Sequence, residues 1–176
     1  IMYNDLVFNS PGLSEDQLVD FYKDASFGVP PNDIGRTYSP DGRDDVTIIR
    51  DKSFNVPHIF GDTREGAMFA QGYATAEDRI LYMDVLRHAG RGRLSELVGF
   101  SDALIGQDLD SIASAPYTEA DLQEHVDNFK DGGPDDIAVY EDLTAYAAGV
   151  NAFLADAKDD LDLLPFEYTL LKKTPE

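Results

Sequence analysis

Few residues of this chain have the types and spacings that do chemistry. Its three histidines, His58, His88 and His125, stand far apart. There is no HExxH pair for zinc, no Walker loop and no Gly-rich dinucleotide turn. Cysteine is absent, which excludes disulfides, thiolate metal sites and cysteine nucleophiles. His58 follows Pro57 in a strand-like run, where a structural imidazole bonded to backbone is a better reading than a catalytic one. His88 falls near a helix C-terminus, where positive charge is favoured. Asp156, Asp159, Asp160, Asp162 and Glu167 suggest calcium, but they lack the glycine and spacing of an EF-hand loop and read as a solvated acidic turn. Glu77-Asp78-Arg79, with Asp84 and Arg87 three residues apart, reads as a structural ion-pair ladder. Tyr73, set among small residues, reads first as a core residue with a bonded hydroxyl and second as pocket lining. None of these groups is complete enough to do chemistry by itself, and no metal site is expected in this chain.

The elements that must position these residues are legible. Ser14-Glu-Asp-Gln17 is a capping-box pattern with Leu13 and Leu18 as a staple, so a short helix is expected over 14–24, burying Leu18, Phe21 and Tyr22. Residues 27–42 carry three prolines and three glycines and read as an irregular connector. Val46–Asp51 and Val56–Phe60 read as a β-hairpin, with Pro57 starting the second strand or placing it at an edge. Asp62 and Glu65 form a capping pattern ahead of a long helix. That helix is expected to break near Asp78 and to end at Gly90 and Gly92, with Leu94–Val98 forming another turn. Ala67, Ala70, Gly72, Ala74 and Ala76 are small enough that a partner surface is expected to pack very closely there. Thr118 with Asp121 caps a further helix, and Pro134 starts another with the stripe Tyr140, Leu143, Ala147, Val150 and Leu154.

Charge divides the chain into three. From Val46 to Gly99 seven acids balance seven bases, and six of the eight arginines lie there. Before it stand nine acids and three bases, and after it eighteen and four. Arginine is the base best suited to buried bidentate pairing, so the pattern fits an inner, paired centre with solvated flanks and equally an ordinary helix with surface ion pairs. Arg50, Asp78, Arg79, Arg93 and Glu96 are the expected structural pairs. The net charge of −20 argues against nucleic acid and against anionic membrane surfaces. No apolar run approaches the roughly 20 residues that span a bilayer. The chain opens Ile1-Met2, so the expectation is either that a segment such as a secretory signal was removed ahead of it or that the ordered part starts late.

The central stretch carries a specific resemblance. Ile49-Arg50-Asp51, Val56-Pro57-His58-Ile59, Gln71-Gly72-Tyr73-Ala74, Glu77-Asp78-Arg79 and Gly92-Arg93-Leu94-Ser95-Glu96-Leu97-Val98-Gly99 stand in order within about 50 residues. Together they resemble the opening of the α subunit of the penicillin amidase family of N-terminal-nucleophile hydrolases. Leu164-Pro165, Glu167-Tyr168, Leu170-Leu171 and Thr174-Pro175 resemble a later segment of that subunit. The resemblance covers 46–176. It divides the chain into an N-terminal extension, 1–43, and an α-subunit body, 44–176.

The resemblance implies an α+β fold. A mostly helical α chain with one hairpin would complete an αββα sandwich together with a separate β chain. It implies a secreted, periplasmic or cell-surface bacterial enzyme, made as one precursor and cut into a heterodimer by autoproteolysis. The nucleophile would be the first residue of β, normally Ser, so no catalytic residue falls in this chain. The substrate would be a small N-acylated amine, such as a β-lactam or an N-acyl homoserine lactone. The resemblance further implies a structural Ca2+ held mainly by β. Only Tyr73 matches a tyrosine near the family's site and is the one substrate-adjacent candidate. A reading from another class is a non-catalytic acidic secreted domain that binds cations or a protein partner. A third is a family member that has lost activity and serves as scaffold.

Overall fold

A computed structural model of the protein describes residues 8, 10–18, 28–40 and 42–175. The centre is a three-stranded antiparallel sheet, β1 (Ile34–Tyr38), β2 (Val46–Asp51) and β3 (Pro57–Gly61), in the order β1-β2-β3. The helices are α1 (Glu15–Leu18), α2 (Arg64–Gly90), α3 (Leu94–Val98), α4 (Asp102–Ser114), α5 (Glu119–Lys130), α6 (Pro134–Asp159) and α7 (Phe166–Leu171). The chain is thus mostly helical with a small sheet.

β2 and β3 form the expected hairpin, with Ile48 opposite Ile59 and Arg50 opposite Pro57. Pro57 starts β3, where its missing N–H costs the ladder least. The Asp51 carboxylate turns the corner by accepting from the backbone N–H of Phe54 at 2.7 Å. β1 departs from expectation, because it arises inside the stretch read as an irregular connector. Its pairing with β2 bulges between Ile34 and Arg36. A Cβ on Gly35 would strike the Arg50 carbonyl, so this strand approaches β2 more closely than any residue with a side chain allows. α1 begins as the capping pattern indicates. Phe21 and Tyr22, and the side chain of Leu18, lie outside the described residues.

Alternation along β2 decides its buried face. Val46, Ile48 and Arg50 are each at most 2% exposed and share one side of the strand. That side meets α2. The cap of α2 is Thr63, whose hydroxyl accepts from Gly66 N–H, and not Asp62. The helix breaks at Arg79 (φ −140°, ψ 16°), one residue past the expected position, and ends at Gly90. α4, which the sequence reading left without an element, is capped by the Ser101 hydroxyl.

The small residues of α2 are covered from within the chain, by α6. A Cβ on Gly72 would overlap the Tyr146 carbonyl, and one on Gly149 would overlap the Phe69 carbonyl. The two backbones therefore touch, and Ala70, Ala74, Ala76, Phe153 and Ala157 fill the core around that contact. The expectation of a separate partner at this stretch is corrected accordingly: α6 is long and itself small-faced, and it supplies the surface.

Candidate functional site

The buried charges gather around the middle of α2. Arg50 sits on the core face of β2, and its guanidinium makes four hydrogen bonds. Nη2 donates to Glu77 at 2.6 Å, Nη1 to Asp78 and to the Asn55 carbonyl at 3.0 Å, and Nε to the Tyr38 hydroxyl at 3.2 Å. Asn55 can present that carbonyl because it adopts the left-handed conformation at the hairpin end (φ 57°). Glu77 also accepts from Arg36 and from the Tyr38 hydroxyl. Burial raises the pKa of Glu77, but hydrogen bonds from Tyr38, Arg50 and Arg36 outweigh it and hold the carboxyl below the usual glutamate range. All three strands meet this knot: β1 through Tyr38, β2 through Arg50, and β3 through the turn that precedes it.

Two further tyrosine–carboxylate pairs fasten α2. Tyr73 donates to Asp156 of α6 at 2.7 Å, and its ring meets Phe153 edge-on at 5.7 Å. Tyr168 of α7 donates to Asp84 at 2.7 Å, in a fully buried bond. Burial, and then the facing carboxylate, push both phenols well above the usual tyrosine pKa. Tyr73 is therefore placed as a packed core residue, with its hydroxyl spent on Asp156. Asp84 also accepts from Arg87 at 3.1 Å, the expected i,i+3 pair. His88 Nδ1 bonds the Asp84 carbonyl at 2.8 Å, as a helix-end histidine does. His58 faces the Asp51 carboxylate at 3.3 Å and not the expected backbone group.

The glycine-rich turn after α2 has its own logic. Gly92 takes a positive φ of 63°, and a Cβ there would strike the Asp108 carbonyl and the Ile112 side chain. α4 is thus drawn against the turn. The Asp108 carboxylate then receives the N–H groups of Leu94 (2.8 Å) and Ser95 (3.0 Å), the free donors at the start of α3. Sequence reasoning missed Asp108. No local pattern marks a cap supplied from thirteen residues away.

The five expected ion-pair residues do not form one set. Arg50 and Asp78 meet. Arg93 and Glu96 meet at 2.7 Å as a surface pair, with both side chains more than 40% exposed. Arg79 stands apart. It is exposed, and no ion pair holds it among the described residues. Glu77 and Asp78 are both taken by Arg50, and positions one and two apart on a helix do not face one another, so neither serves Arg79.

Between α2 and α6 lies an open groove of about 360 Å³, lined by Ile80, Met83, Tyr146, Val150 and Leu154 with Asp84 and Arg87. Its two charged groups, Asp84 and Arg87, are paired to one another. Among the described residues no three His, Asp or Glu side chains gather as a metal ion requires. Asp156 accepts from Tyr73, and Asp160 caps the turn at Asp162. No described helix is long and apolar enough to cross a membrane. What this arrangement does physically is fix one sheet, one broken helix and their flanking helices into a rigid platform.

Comparison with known proteins supplies the frame for that platform. The chain is 31% identical over 131 residues to penicillin acylase 2 proenzyme of Pseudomonas sp. strain SE83, covering 74% of this chain and 15% of that protein. It is 34% identical over 113 residues to the acyl-homoserine lactone acylase QuiP of Pseudomonas putida, covering 64% and 13%. Among solved structures it is similar to a thermostable penicillin G acylase from Alcaligenes faecalis. There the TM-score is 0.62 and the identity 31%, over 74% of this chain and 64% of that one. The chain thus spans about one seventh of these curated relatives. Residues 45–176 match the penicillin amidase family over β2, β3, the broken helix and the helices that clamp them, and the chain belongs to that family.

Proposed function

We propose that this chain is the α part of an N-acyl amide hydrolase whose nucleophile belongs to a second chain. The observation that carries the reading is the family match along 45–176, together with relatives named as acylases, one of them as a proenzyme. The chemistry is that of an N-terminal nucleophile. A serine hydroxyl needs an adjacent base. Cleavage of a precursor frees an α-amino group, with a pKa of about 7.7–8.0, on that same residue. The amine takes the hydroxyl proton near neutral pH, and donors from the second chain hold the oxyanion. The bond cleaved is a linear amide, and an acyl-enzyme forms and is hydrolysed.

In this reading the platform built by Arg50, Glu77 and Tyr38 supports an αββα sandwich completed by the second chain. The enzyme is exported to the periplasm, the cell surface or the medium. A structural Ca2+ sits mainly in the second chain, and a chelator lowers the melting temperature of the whole enzyme. Two substrate classes, penicillin-type side-chain amides and N-acyl homoserine lactones, are represented among the relatives.

The test is covalent labelling of the complete enzyme with phenylmethylsulfonyl fluoride, followed by peptide mass spectrometry. Label on the first residue of a second chain, with loss of amide hydrolysis, supports the assignment. Activity-linked label on a serine within this chain, Ser53 or Ser95 for instance, overturns it. A gene product that ends soon after Glu176 without a second chain supports the non-catalytic binding domain instead.

A further inference from the structure

Seven of the eight arginines of this chain meet a carboxylate, exposed ones such as Arg64 and Arg91 included. Arg79 alone makes no side-chain bond among the described residues. In a chain with 34 carboxylates that isolation has a structural cause. Its neighbours Glu77 and Asp78 are drawn inward by Arg50. The residues three and four away, Thr75, Ala76, Tyr82 and Met83, carry no acid, so no helical pair is available to it. The break in α2 at Arg79 leaves the guanidinium in solvent.

Beyond the break the exposed positions of α2 continue as Tyr82, 61% exposed, and Leu86, 53% exposed. Tyr82 and Leu86, four residues apart, share one exposed stripe of α2, and Arg79 stands at the break three residues before Tyr82. Together they present a cation, an aromatic ring and an aliphatic side chain, and no carboxylate. Arginine and tyrosine are the residues that most often anchor protein–protein contacts, each inside an apolar, dehydrated surround. A convex stripe of this kind fits another protein surface better than it fits a small molecule.

We propose that Arg79, Tyr82 and Leu86 form a docking stripe for the second chain, with Arg79 seated on a carboxylate of that chain and Tyr82 and Leu86 in an apolar recess beside it. The inference rests on the two-chain reading above. Charge complementarity selects the occupant's chemistry: the one arginine without a carboxylate among the described residues takes an acidic group from outside them. The knot at Arg50 holds Glu77 and Asp78 away from that arginine and so keeps it available.

The test uses the complete two-chain enzyme. Arg79→Glu, Arg79→Lys and Tyr82→Ala are prepared, with Arg91→Ala as a surface-arginine control. Dissociation of the two chains is followed in urea at low and at high salt. Arg79→Glu is expected to dissociate at least about tenfold faster at low salt, with the difference narrowing at high salt. Arg79→Lys should retain most of the wild-type rate, Tyr82→Ala should accelerate dissociation at both salts, and Arg91→Ala should change nothing. Where Arg79→Glu fails to accumulate, Arg79→Gln makes the same comparison. Normal cleavage and copurification with a wild-type dissociation rate would overturn the inference and leave the two-chain reading standing. So would a change in KM alone, which points to a small ligand, or loss of self-association alone, which points to a second copy. Absence of any second chain overturns both.

Discussion

Arg50 Nη2 stands 2.6 Å from the Glu77 carboxylate, two residues before α2 breaks. The arginine is 2% exposed and lies on the same strand face as Val46 and Ile48. One side chain thus joins the sheet, the hairpin turn and the helix. Removing it leaves Glu77 without its most buried partner. Arg50→Ala is therefore expected to cost roughly 3–5 kcal/mol. Arg50→Lys should recover little, because an ammonium cannot serve four acceptors in the guanidinium's plane. Denaturant titration of the complete protein gives the answer; a midpoint close to wild type for Arg50→Ala would show the knot to be dispensable.

Glu77 sets an acid dependence. Its carboxyl is held below the usual glutamate range in the folded state. A depressed folded pKa contributes stability above the unfolded value of about 4.3, and that contribution is lost as pH falls through the folded pKa. Melting temperature against pH should therefore fall steeply below about pH 4.3 in the wild type. Glu77→Gln should be less stable at neutral pH and show a shallower acid limb. Parallel curves for the two proteins would refute the assignment.

Tyr168 and Tyr73 set the opposite limb. Burial, and then the facing carboxylates Asp84 and Asp156, raise both phenols. A raised folded pKa stabilises the protein below the unfolded value of about 10, and the gain is lost as pH rises through the folded pKa. Tyrosinate absorbance should show two phenols that ionise only as the protein unfolds. Tyr168→Phe removes one of them and costs about 1.5–3 kcal/mol, because Asp84 keeps its charge and loses a buried donor. Reversible ionisation of every tyrosine near pH 10, in protein that remains folded, would contradict this.

The contact between α2 and α6 allows no added atom. Gly149→Ala puts a methyl into the Phe69 carbonyl, and Gly72→Ala puts one into that of Tyr146. Either is expected to cost at least about 1–3 kcal/mol. Ala147→Ser, on the same helix but lining the outer groove, serves as control. Equal melting temperatures for all three would mean that the helices separate freely.

Much of this architecture was legible in the residues. The run Val46–Asp51 marks the strand β2, and Pro57 marks the start of β3. Thr118 with Asp121 and Pro134 mark two helix starts, and the break expected near Asp78 falls at Arg79. These signals are local, because capping, turn chemistry and side-chain period act within a few residues. Five ordered motifs named the family before any fold was known. What only the tertiary structure decided lies between segments distant in the chain. Tyr73 meets Asp156 across 83 residues, and Tyr168 meets Asp84 across 84. Ala67–Ala76 advertises a close neighbour but not which one, since small side chains permit contact without encoding a partner. The chain's own α6 takes that place. Nor does sequence separate Arg50 from Arg79, two arginines each beside an acid. Burial on a strand makes the first a structural hub, and a helix break turns the second outward into solvent.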